Sequence, residues 1–540
     1  MKHLQKILAL IMSTVFILCC VPAAGAEESS KETIVADWIW SSDLDHRGAY
    51  TTMKELSETG FTDVYLLCKG TLGTLSWDSA CEGTAEGYDY DLLQEALDAA
   101  EKYGLRLHAW LTVGRDDHYA RNHYYSKFYH FRYGYKSKLS CGCTKKEQAS
   151  GKCPHPEAYM DLRNEDYIAY MEGLVEELCV KYPKLAGIQL DTMRYGSLSY
   201  DWGENTLNAF NDPKYSPTGI TVAEYNGAAK GLCVEKNYTF GKDVKGYFKY
   251  TKNGTVPKGT SFKKAISKNT EYQSAITGAA KLQTLRINTV NEFIKGIKKV
   301  MDANAPHMLL TVDIMPEVVG SEYARAIYGQ DPRSMSEYVD YLCIMSYAEA
   351  YEKGITWAAD CANTLAKQGC KVIAGIQFYE EIGKPGPTSI RIFKQIRNVL
   401  KARESFDKIL GYAIFRHGTG IYAGAHVDPE AKTITIRIHN TVFDKNSPQA
   451  VYPVDKLVIE MQSGTVAKKV ILDPVKWKNC KATISEDGKT ITITGKFLKA
   501  TGNKTITIVY KGTVNPVDGA CRIRSFYQGT QYYTLCNTII

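Results

Sequence analysis

Short apolar segments alternate with longer amphipathic ones over residues 34–420. Eight of the apolar segments have the length and composition of buried β-strands: Ile34–Trp40, Asp63–Lys69, Leu105–Val113, Leu185–Asp191, Met308–Asp313, Val339–Ser346, Lys371–Phe378 and Ile409–Phe415. Between them, stretches such as Asn164–Tyr182 carry apolar residues at helical spacing. Near-continuous apolar strands separated by helices predict a parallel sheet whose two faces are both covered.

Eight strand–helix units in one domain predict an α/β fold, the closed (β/α)₈ TIM barrel. The alternative is a doubly wound open sheet, which usually has a glycine-rich turn after its first strand; residues 41–46 contain no glycine. Two long insertions, at about residues 114–161 and 196–280, follow strands. They therefore belong to the C-terminal face of the barrel, where barrel enzymes have their active sites.

The pattern changes after Gly424. Five segments alternate apolar and polar residues: Thr433–Ile438, Asp455–Met461, Lys468–Leu472, Thr490–Thr494 and Lys504–Tyr510. Residues 486–489 read Glu-Asp-Gly-Lys, which is typical of a hairpin turn. We therefore predict a barrel over residues 27–424 and an all-β, Ig-like sandwich over residues 425–540.

The N-terminus resembles an export signal. Lys2 and Lys6 precede the apolar stretch 7–21, and Ala24-Gly25-Ala26 offers small residues before a cut at Glu27. We expect a signal peptide over residues 1–26 and a secreted, extracellular or cell-surface-associated mature chain of a bacterium. No later segment is long and apolar enough to span a bilayer, so we expect no integral membrane segment after cleavage.

Charge and cysteine content narrow the possible partners. The net charge of +7 becomes +5 without Lys2 and Lys6, and basic residues are not clustered, so nucleic acid is not an expected partner. Cysteines such as Cys68, Cys343 and Cys370 lie in apolar segments and are expected to be buried. Three cysteines and a histidine lie close together and suit either a structural zinc ion or a disulfide with one free thiol: Cys141, Cys143, Cys153 and His155. No cofactor is otherwise required.

Carboxylates at the ends of the predicted strands are the candidate catalytic groups. The fourth strand ends at Asp191, and Arg194 and Tyr195 follow it. An acid that closes an apolar strand suggests catalysis or substrate contact, although a structural ion pair with Arg194 would also explain it. The fifth strand ends at Asp313, with Glu317 just beyond it.

Glycosidic cleavage commonly uses two carboxyl groups. We assign Asp191 as nucleophile or base. Glu317 is the first candidate for the acid, because burial and a neighbouring carboxylate would raise its pKa on the rim. Asp313 and Glu349 are the next candidates. Neighbouring strands would favour the short carboxyl separation of retaining enzymes.

Aromatic and polar residues at the same strand ends suit the binding of sugar rings. We expect seven residues to contact a carbohydrate substrate: Trp40, Trp110, Arg194, Tyr195, Tyr347, Gln377 and Arg416.

Five stretches, in order along the chain, resemble the glycosyl-hydrolase-like family 10 barrels, a group of exported bacterial proteins classed with the glycosidases. They are residues 159–164, 187–195, 286–288, 340–347 and 411–415. The resemblance implies a TIM-barrel glycosidase whose strand-four acid is Asp191. Asp37 departs from the family, which commonly has arginine before the tryptophan of the first strand.

Three hypotheses about function follow. The first is a secreted O-glycoside hydrolase that acts on a polysaccharide or cell-wall glycan. The second is a catalytically inactive barrel that binds carbohydrate or cell wall as a surface protein. The third is a zinc-dependent hydrolase that uses the cysteine–histidine cluster.

Overall fold

The structure is a computed structural model that describes residues 32–81, 84–85, 90–123, 159–198, 200–202, 204–233, 270–380, 386–442, 454–462, 464–499 and 502–540. Residues Ile34–Ile540 form one compact unit. Across these described ranges, every helix is too short or too polar to cross a membrane.

Eight parallel strands close into a barrel. Its strands are β1 (Ile34–Trp40), β2 (Asp63–Lys69), β5 (Arg106–Thr112), β6 (Gly187–Asp191), β7 (Leu309–Ile314), β8 (Tyr341–Ile344), β9 (Val372–Gln377) and β10 (Ile409–Phe415), and the short strands β3 (Thr74–Leu75) and β4 (Thr84–Ala85) extend from β2. Strand β1 pairs with both β2 and β10, which closes the ring. The predicted TIM barrel is confirmed, and all eight strands lie where the apolar pattern predicts them.

Helices cover the outside of the barrel. They are α1 (Ser41–Arg47), α2 (Ala49–Glu58), α3 (Leu92–Lys102), α4 (Asp117–Asn122), α5 (Glu165–Lys181), α6 (Glu204–Ala209), α7 (Val222–Cys233), α8 (Thr270–Asn304), α9 (Glu322–Tyr328), α10 (Pro332–Met335), α11 (Trp357–Lys367) and α12 (Ser389–Ser405), with a 3₁₀ turn at Pro316–Val319. Local sequence sets several helix starts: the Asn164 side chain accepts a hydrogen bond from the Tyr167 N–H at the start of α5. Residues 124–158 and 234–269, which contain most of the first insertion and part of the second, lie outside the described residues.

Side chains alternate between two cores along the barrel strands. On β6, Ile188 and Leu190 point outward into the large core beneath the helices. Inside the ring, a smaller group of side chains fills the lumen: Ile34, Ala36, Trp38, Tyr65, Trp110, Tyr341, Cys343, Ile373 and Ala413. Since Gln189 and Asp191 alternate with the outward residues of β6, they face the lumen.

A two-sheet sandwich follows the barrel. Its strands are β11 (Ile421–Asp428), β12 (Thr433–Asn440), β13 (Val454–Met461), β14 (Val466–Leu472), β15 (Lys481–Ile484), β16 (Thr490–Leu498), β17 (Asn503–Lys511), β18 (Cys521–Tyr527), β19 (Thr530–Tyr532) and β20 (Thr534–Ile539). One sheet has the order β14-β17-β12-β11-β20 and the other β15-β16-β13-β18-β19. The predicted C-terminal all-β sandwich is confirmed. Its first strand, β11, begins at Ile421, before the predicted boundary at residue 425, because the chain continues directly from the barrel into this strand.

Buried polar contacts join the sandwich to the barrel. Asp37 of β1 accepts hydrogen bonds from the Tyr422 hydroxyl, at 3.0 Å, and lies 2.9 Å from Nδ1 of His417. On the last strand, Asn537 accepts a hydrogen bond from the Tyr412 hydroxyl at 2.8 Å. Asp37 therefore faces outward to the sandwich, away from the lumen.

Candidate active site

The acid at the end of β6 is held by donors from its own loop. Oδ1 of Asp191 accepts a hydrogen bond from the Thr192 N–H and lies 3.3 Å from Nη1 of Arg194. Thr192 has a φ of 52°, and its Oγ1 accepts hydrogen bonds from the N–H groups of Val113 and Gly114. The Asp191 side chain is 15% exposed. Its carboxylate is thus fixed in orientation and open to the barrel mouth.

A second carboxyl lies on the neighbouring strand. Leu190 of β6 pairs with Val312 of β7, so Asp191 and Asp313 are next to each other at the strand ends, where neighbouring backbones are about 4.8 Å apart. We call these two residues the acid pair. The sequence predicted both as candidates, and the structure brings them together.

The surroundings of Asp313 favour its protonated form. It is 2% exposed, and among the described residues no group donates a hydrogen bond to its Oδ1. Burial, and then the negative charge of Asp191, raise the pKa of Asp313 well above its usual 3.8, while Arg194 and the Cys343 thiol only partly oppose them. We expected burial and a neighbouring carboxylate at Glu317; the structure shows this combination at Asp313.

A chain of polar contacts supports Asp313 from within the lumen. The Trp38 indole N–H donates to Oε1 of Gln189 at 2.6 Å, and Nε2 of Gln189 donates to the Cys343 sulfur at 3.1 Å. Cys343 is the strand partner of Asp313. It is buried as predicted, but it also makes polar contacts. Sequence reasoning missed Gln189, although it lies two residues before Asp191 and so shares its face.

Aromatic rings line the lumen beside the acid pair. The Tyr347 ring stacks on Phe415 with centroids 5.3 Å apart, and Tyr379 meets Phe415 edge-on at 5.5 Å. Burial, followed by the charges of Asp313 and Asp191, raises the pKa of the Tyr347 hydroxyl, which places this side chain close to both acids.

Glycine and tryptophan residues shape the same wall. A Cβ at Gly375 would lie 3.3 Å from the Tyr347 ring and 2.7 Å from the Ile344 carbonyl oxygen, so glycine leaves the space that this ring occupies. Trp110 is 5% exposed, and within the described ranges its indole N–H has no hydrogen-bond partner. A hydrogen-bond acceptor on a ligand would satisfy this donor.

The predicted acid Glu317 lies in the 3₁₀ turn after β7. It accepts hydrogen bonds from the hydroxyls of Tyr328, at 3.4 Å, and Tyr351, at 3.2 Å. The positive charge of Arg194 acts on both tyrosines, so Glu317 is on the Arg194 side of the mouth. Its carboxylate is partly exposed on the rim.

Arg416 and Trp40, at the ends of β10 and β1, form a pair across the barrel mouth from the acid pair. The Arg416 guanidinium lies 3.6 Å from the centroid of the Trp40 ring, and its Nη1 lies 2.6 Å from Oδ2 of Asp43. The guanidinium covers one face of the indole, which leaves only the other face of Trp40 for a sugar ring.

The structure directs the predicted candidate Glu349 away from the acid pair. Its Oε1 accepts hydrogen bonds from Nε of Arg391, at 2.8 Å, and from Nε2 of Gln395, at 3.0 Å, both on α12. The carboxylate is buried in this contact. Glu349 therefore fastens the loop after β8 to α12, although its Oε2 has no hydrogen-bond partner among the described residues, and its role as a catalytic candidate stays a prediction.

Two predicted substrate contacts are also buried supports. The Tyr195 side chain is fully buried, with its hydroxyl 3.2 Å from Nη1 of Arg163 and its ring 4.7 Å from the Arg286 guanidinium. The fully buried amide of Gln377 accepts from the Ala350 N–H and donates to the Tyr379 carbonyl oxygen. These interactions position the rim loops, so neither side chain lines the mouth, contrary to our expectation.

Sequence reasoning missed a buried ion pair at the same end of the barrel. Nζ of Lys69 lies 2.8 Å from Oδ2 of Asp116, and both side chains are fully buried. Lys69 also donates to the Thr112 carbonyl oxygen at 2.9 Å. The pair joins the end of β2 to the loop that follows β5. A lysine that closes an apolar strand was the available signal.

The cysteine–histidine cluster of the first insertion, Cys141, Cys143, Cys153 and His155, lies outside the described residues. In the part of the chain that the structure does describe, no three His, Cys, Asp or Glu side chains are grouped to hold a metal ion. The zinc or disulfide at the cluster stays a prediction.

In chemical terms, the mouth combines a carboxylate held by donors, a second carboxyl group beside it whose pKa is raised, and aromatic walls. A protonated acid can give a proton to a leaving oxygen, and a carboxylate can attack or activate a nucleophile.

No protein-family model and no curated protein sequence match this chain, so membership of glycosyl-hydrolase-like family 10 stays a prediction. Solved structures are similar at low sequence identity. The glycoside hydrolase domain of PgaB (BpsB) from Bordetella bronchiseptica is 11% identical with a TM-score of 0.48; the match covers 72% of this chain and 94% of that domain.

Two further similar structures are enzymes whose names specify the sugar, galactose or fucose. A β-galactosidase from the psychrophilic Marinomonas ef1 is 12% identical, with a TM-score of 0.46 and coverage of 71% of this chain and 54% of that one. The α-L-fucosidase isoenzyme 2 from Paenibacillus thiaminolyticus is 13% identical, with a TM-score of 0.39 and coverage of 71% and 45%. This chain thus matches about half the length of these two enzymes. The structural neighbours named here are glycoside hydrolases.

Proposed function

We propose that this protein is an exported O-glycoside hydrolase that acts on a polysaccharide or cell-wall glycan. The observation that supports the proposal is the acid pair. Burial and the charge of Asp191 raise the pKa of Asp313, and both carboxyls are at the end of the barrel where barrel enzymes carry out their chemistry. Perturbed acids at a barrel mouth are typical of catalytic groups.

In this proposal Asp191 is the nucleophile and Asp313 the general acid. Asp313 gives its proton to the glycosidic oxygen as the bond to the anomeric carbon breaks, and Asp191 bonds to that carbon. Asp313, now a carboxylate, removes a proton from water, which displaces Asp191 and releases the sugar. Neighbouring strands suit the roughly 5–5.5 Å separation of a retaining enzyme, so the product should keep the anomeric configuration of the substrate.

Side chains around the acid pair would hold the sugar. The indole N–H of Trp110 is a donor without an acceptor among the described residues, Tyr347 lies beside both acids, and Arg194 is 20% exposed next to Asp191. Stacking on the free face of Trp40 would add contact area.

Glu317 is the second candidate for the acid. Its position on the rim would let it reach a leaving group that Asp313 cannot reach from the lumen. Comparing Asp313→Asn with Glu317→Gln on two substrates separates the candidates. The variant that lacks the acid should lose activity on a natural glycan yet retain much of it on an aryl glycoside, whose leaving group needs no proton.

A screen of the purified mature chain against plant, host and bacterial cell-wall glycans tests the activity itself. We expect release of reducing sugar from at least one glycan. Asp191→Asn should abolish release while glycan binding is retained, and Glu380→Gln, which changes an exposed carboxylate at the end of another barrel strand, should leave it intact. Binding to a glycan without turnover by the wild-type chain would instead support an inactive carbohydrate-binding surface protein.

A further inference from the structure

Two cysteines in the sandwich come close together across its two sheets. Cys521 opens β18, where it pairs with Met461 of β13, and Cys536 lies on β20, where it pairs with Ala423 of β11. Their sulfur atoms are 3.9 Å apart. Cys521 is fully buried and Cys536 partly so. The pair therefore sits where the two sheets meet at one edge of the sandwich.

Hydrogen bonds on both sides of the pair fix the two strands. The Ala520 N–H donates to Oγ1 of Thr538 at 2.8 Å, and the hydroxyls of Ser525 and Thr534 are 2.6 Å apart. These hydrogen bonds hold the two strands together with the sulfur atoms in contact, and a disulfide bond would bring the sulfurs to roughly 2.05 Å.

We propose that Cys521 and Cys536 form a disulfide bond in the mature protein. Each thiol loses a proton and an electron, and a sulfur–sulfur bond forms. The two electrons and two protons reduce a disulfide oxidant of an oxidising compartment, a protein disulfide or glutathione disulfide, to two thiols. The proposal is independent of the glycosidase activity.

The bond would strengthen the attachment of the sandwich to the barrel. Asn537, next to Cys536, donates to the Thr59 carbonyl oxygen at 2.8 Å and accepts from the Tyr412 hydroxyl. The hydrogen bond between the two thiols and burial raise the pKa of Cys536.

Peptide mapping of the full mature chain, refolded with glutathione disulfide, tests the proposal. Trypsin places the two cysteines in separate peptides, residues 512–522 and 525–540, and neither contains another cysteine. Without reductant, we expect one linked species whose mass is that of both peptides less two hydrogen atoms, and reduction should separate it. Recovery of both peptides unlinked, with alkylated thiols, would overturn the proposal.

Thermal unfolding gives a second readout. Reduction should lower the Tm of the wild-type chain by roughly 5 °C, because the bond closes a short loop of the unfolded chain. The double variant Cys521→Ala/Cys536→Ala should show no such shift, whereas Cys480→Ala, which removes a cysteine outside the pair, should keep it. An equal shift in the double variant would contradict the assignment.

Discussion

Two aspartates at opposite ends of the barrel lumen show how one residue type serves two purposes. At the N-terminal end, Asp63 lies 2.9 Å from Nε2 of His108 and 2.6 Å from Nη2 of Arg106. At the C-terminal end, Asp313 faces another acid, Asp191, and has an oxygen without a donor among the described residues. Both aspartates are almost fully buried.

Their pKa values move in opposite directions. Burial raises the pKa of both side chains, but at Asp63 the hydrogen bonds and charges of His108 and Arg106 outweigh burial and lower its pKa. At Asp313 the charge of Asp191 adds to burial. Partners that satisfy a buried acid stabilise the fold, whereas a buried acid left beside a like charge is suited to proton transfer. We therefore expect Asp63 at the N-terminal end to serve stability and, under the proposed function, Asp313 at the C-terminal end to serve chemistry.

The largest expected effect is on activity at the C-terminal end. Asp313→Asn removes the proton donor, so kcat should fall about 10²–10⁴-fold on a natural glycan. The free energy of unfolding should change little, because a neutral amide of nearly the same size replaces a carboxyl group that favours its neutral form. Measurements of initial rates and of denaturant unfolding check both halves. Full activity in this variant would assign the acid to another residue.

The matched change at the N-terminal end should do the reverse. Asp63→Asn leaves His108 and Arg106 without their carboxylate, so the free energy of unfolding should fall by about 3 kcal/mol. The kcat should stay within a few-fold of wild type at temperatures where the variant is folded. A large loss of kcat without loss of stability would contradict the division between the two ends.

The pH dependence should separate the two ends within one protein. Asp63 has a lowered pKa, so its stabilisation is complete above its usual 3.8 and is lost as the pH falls through its folded value. Asp313 has a raised pKa, so activity should decline as the pH rises through that value and Asp313 loses its proton.

Unfolding curves at acid pH measure the loss of stability at low pH (the acid limb), and a pH–rate profile measures the loss of activity at high pH (the alkaline limb). Asp63→Asn should flatten the acid limb of stability, and Asp313→Asn should remove the alkaline limb of the residual rate. An alkaline limb that persists unchanged in Asp313→Asn would belong to a different group.

The smallest expected effect concerns Cys343, the strand partner of Asp313. The Cys343 thiol lowers the pKa of Asp313 somewhat, so Cys343→Ala should move the alkaline limb to higher pH. The change in kcat at neutral pH should be less than about tenfold, since one weak sulfur hydrogen bond is lost. A shift of the limb to lower pH would show that the thiol has another role.

Much of the fold could be predicted from the sequence. The bounds of β1, β2 and β10 match the apolar segments residue for residue, because strands buried on both faces are mostly apolar. Prediction was less complete in the sandwich. The strand β18, Cys521–Tyr527, was not predicted, since its alternation includes Arg522, Arg524 and Ser525, whose partners are distant in sequence.

The site was predicted in part. Asp191 and Asp313 were candidates because both end barrel strands, but the choice of Glu317 over Asp313 as the acid rested on an expected burial that the structure shows at Asp313. Tyr195, four residues beyond the end of β6, points into the rim packing, whereas Gln377 ends β9 and its amide is bound by backbone groups of the rim loops. Side-chain direction beyond a strand end depends on loop backbone, which the two-residue period of a strand does not describe.

The sequence by itself determined the number of strands, their parallel order and the end of the barrel at which acids gather, because burial on both faces restricts which residues a strand can contain. Only the tertiary structure decided which acids became neighbours and which received a cation. The protonation of a carboxyl group depends on the charges and hydrogen-bond donors within a few ångströms of it. In this barrel those groups belong to strands far apart in the chain: Asp191 and Asp313 are separated by more than a hundred residues.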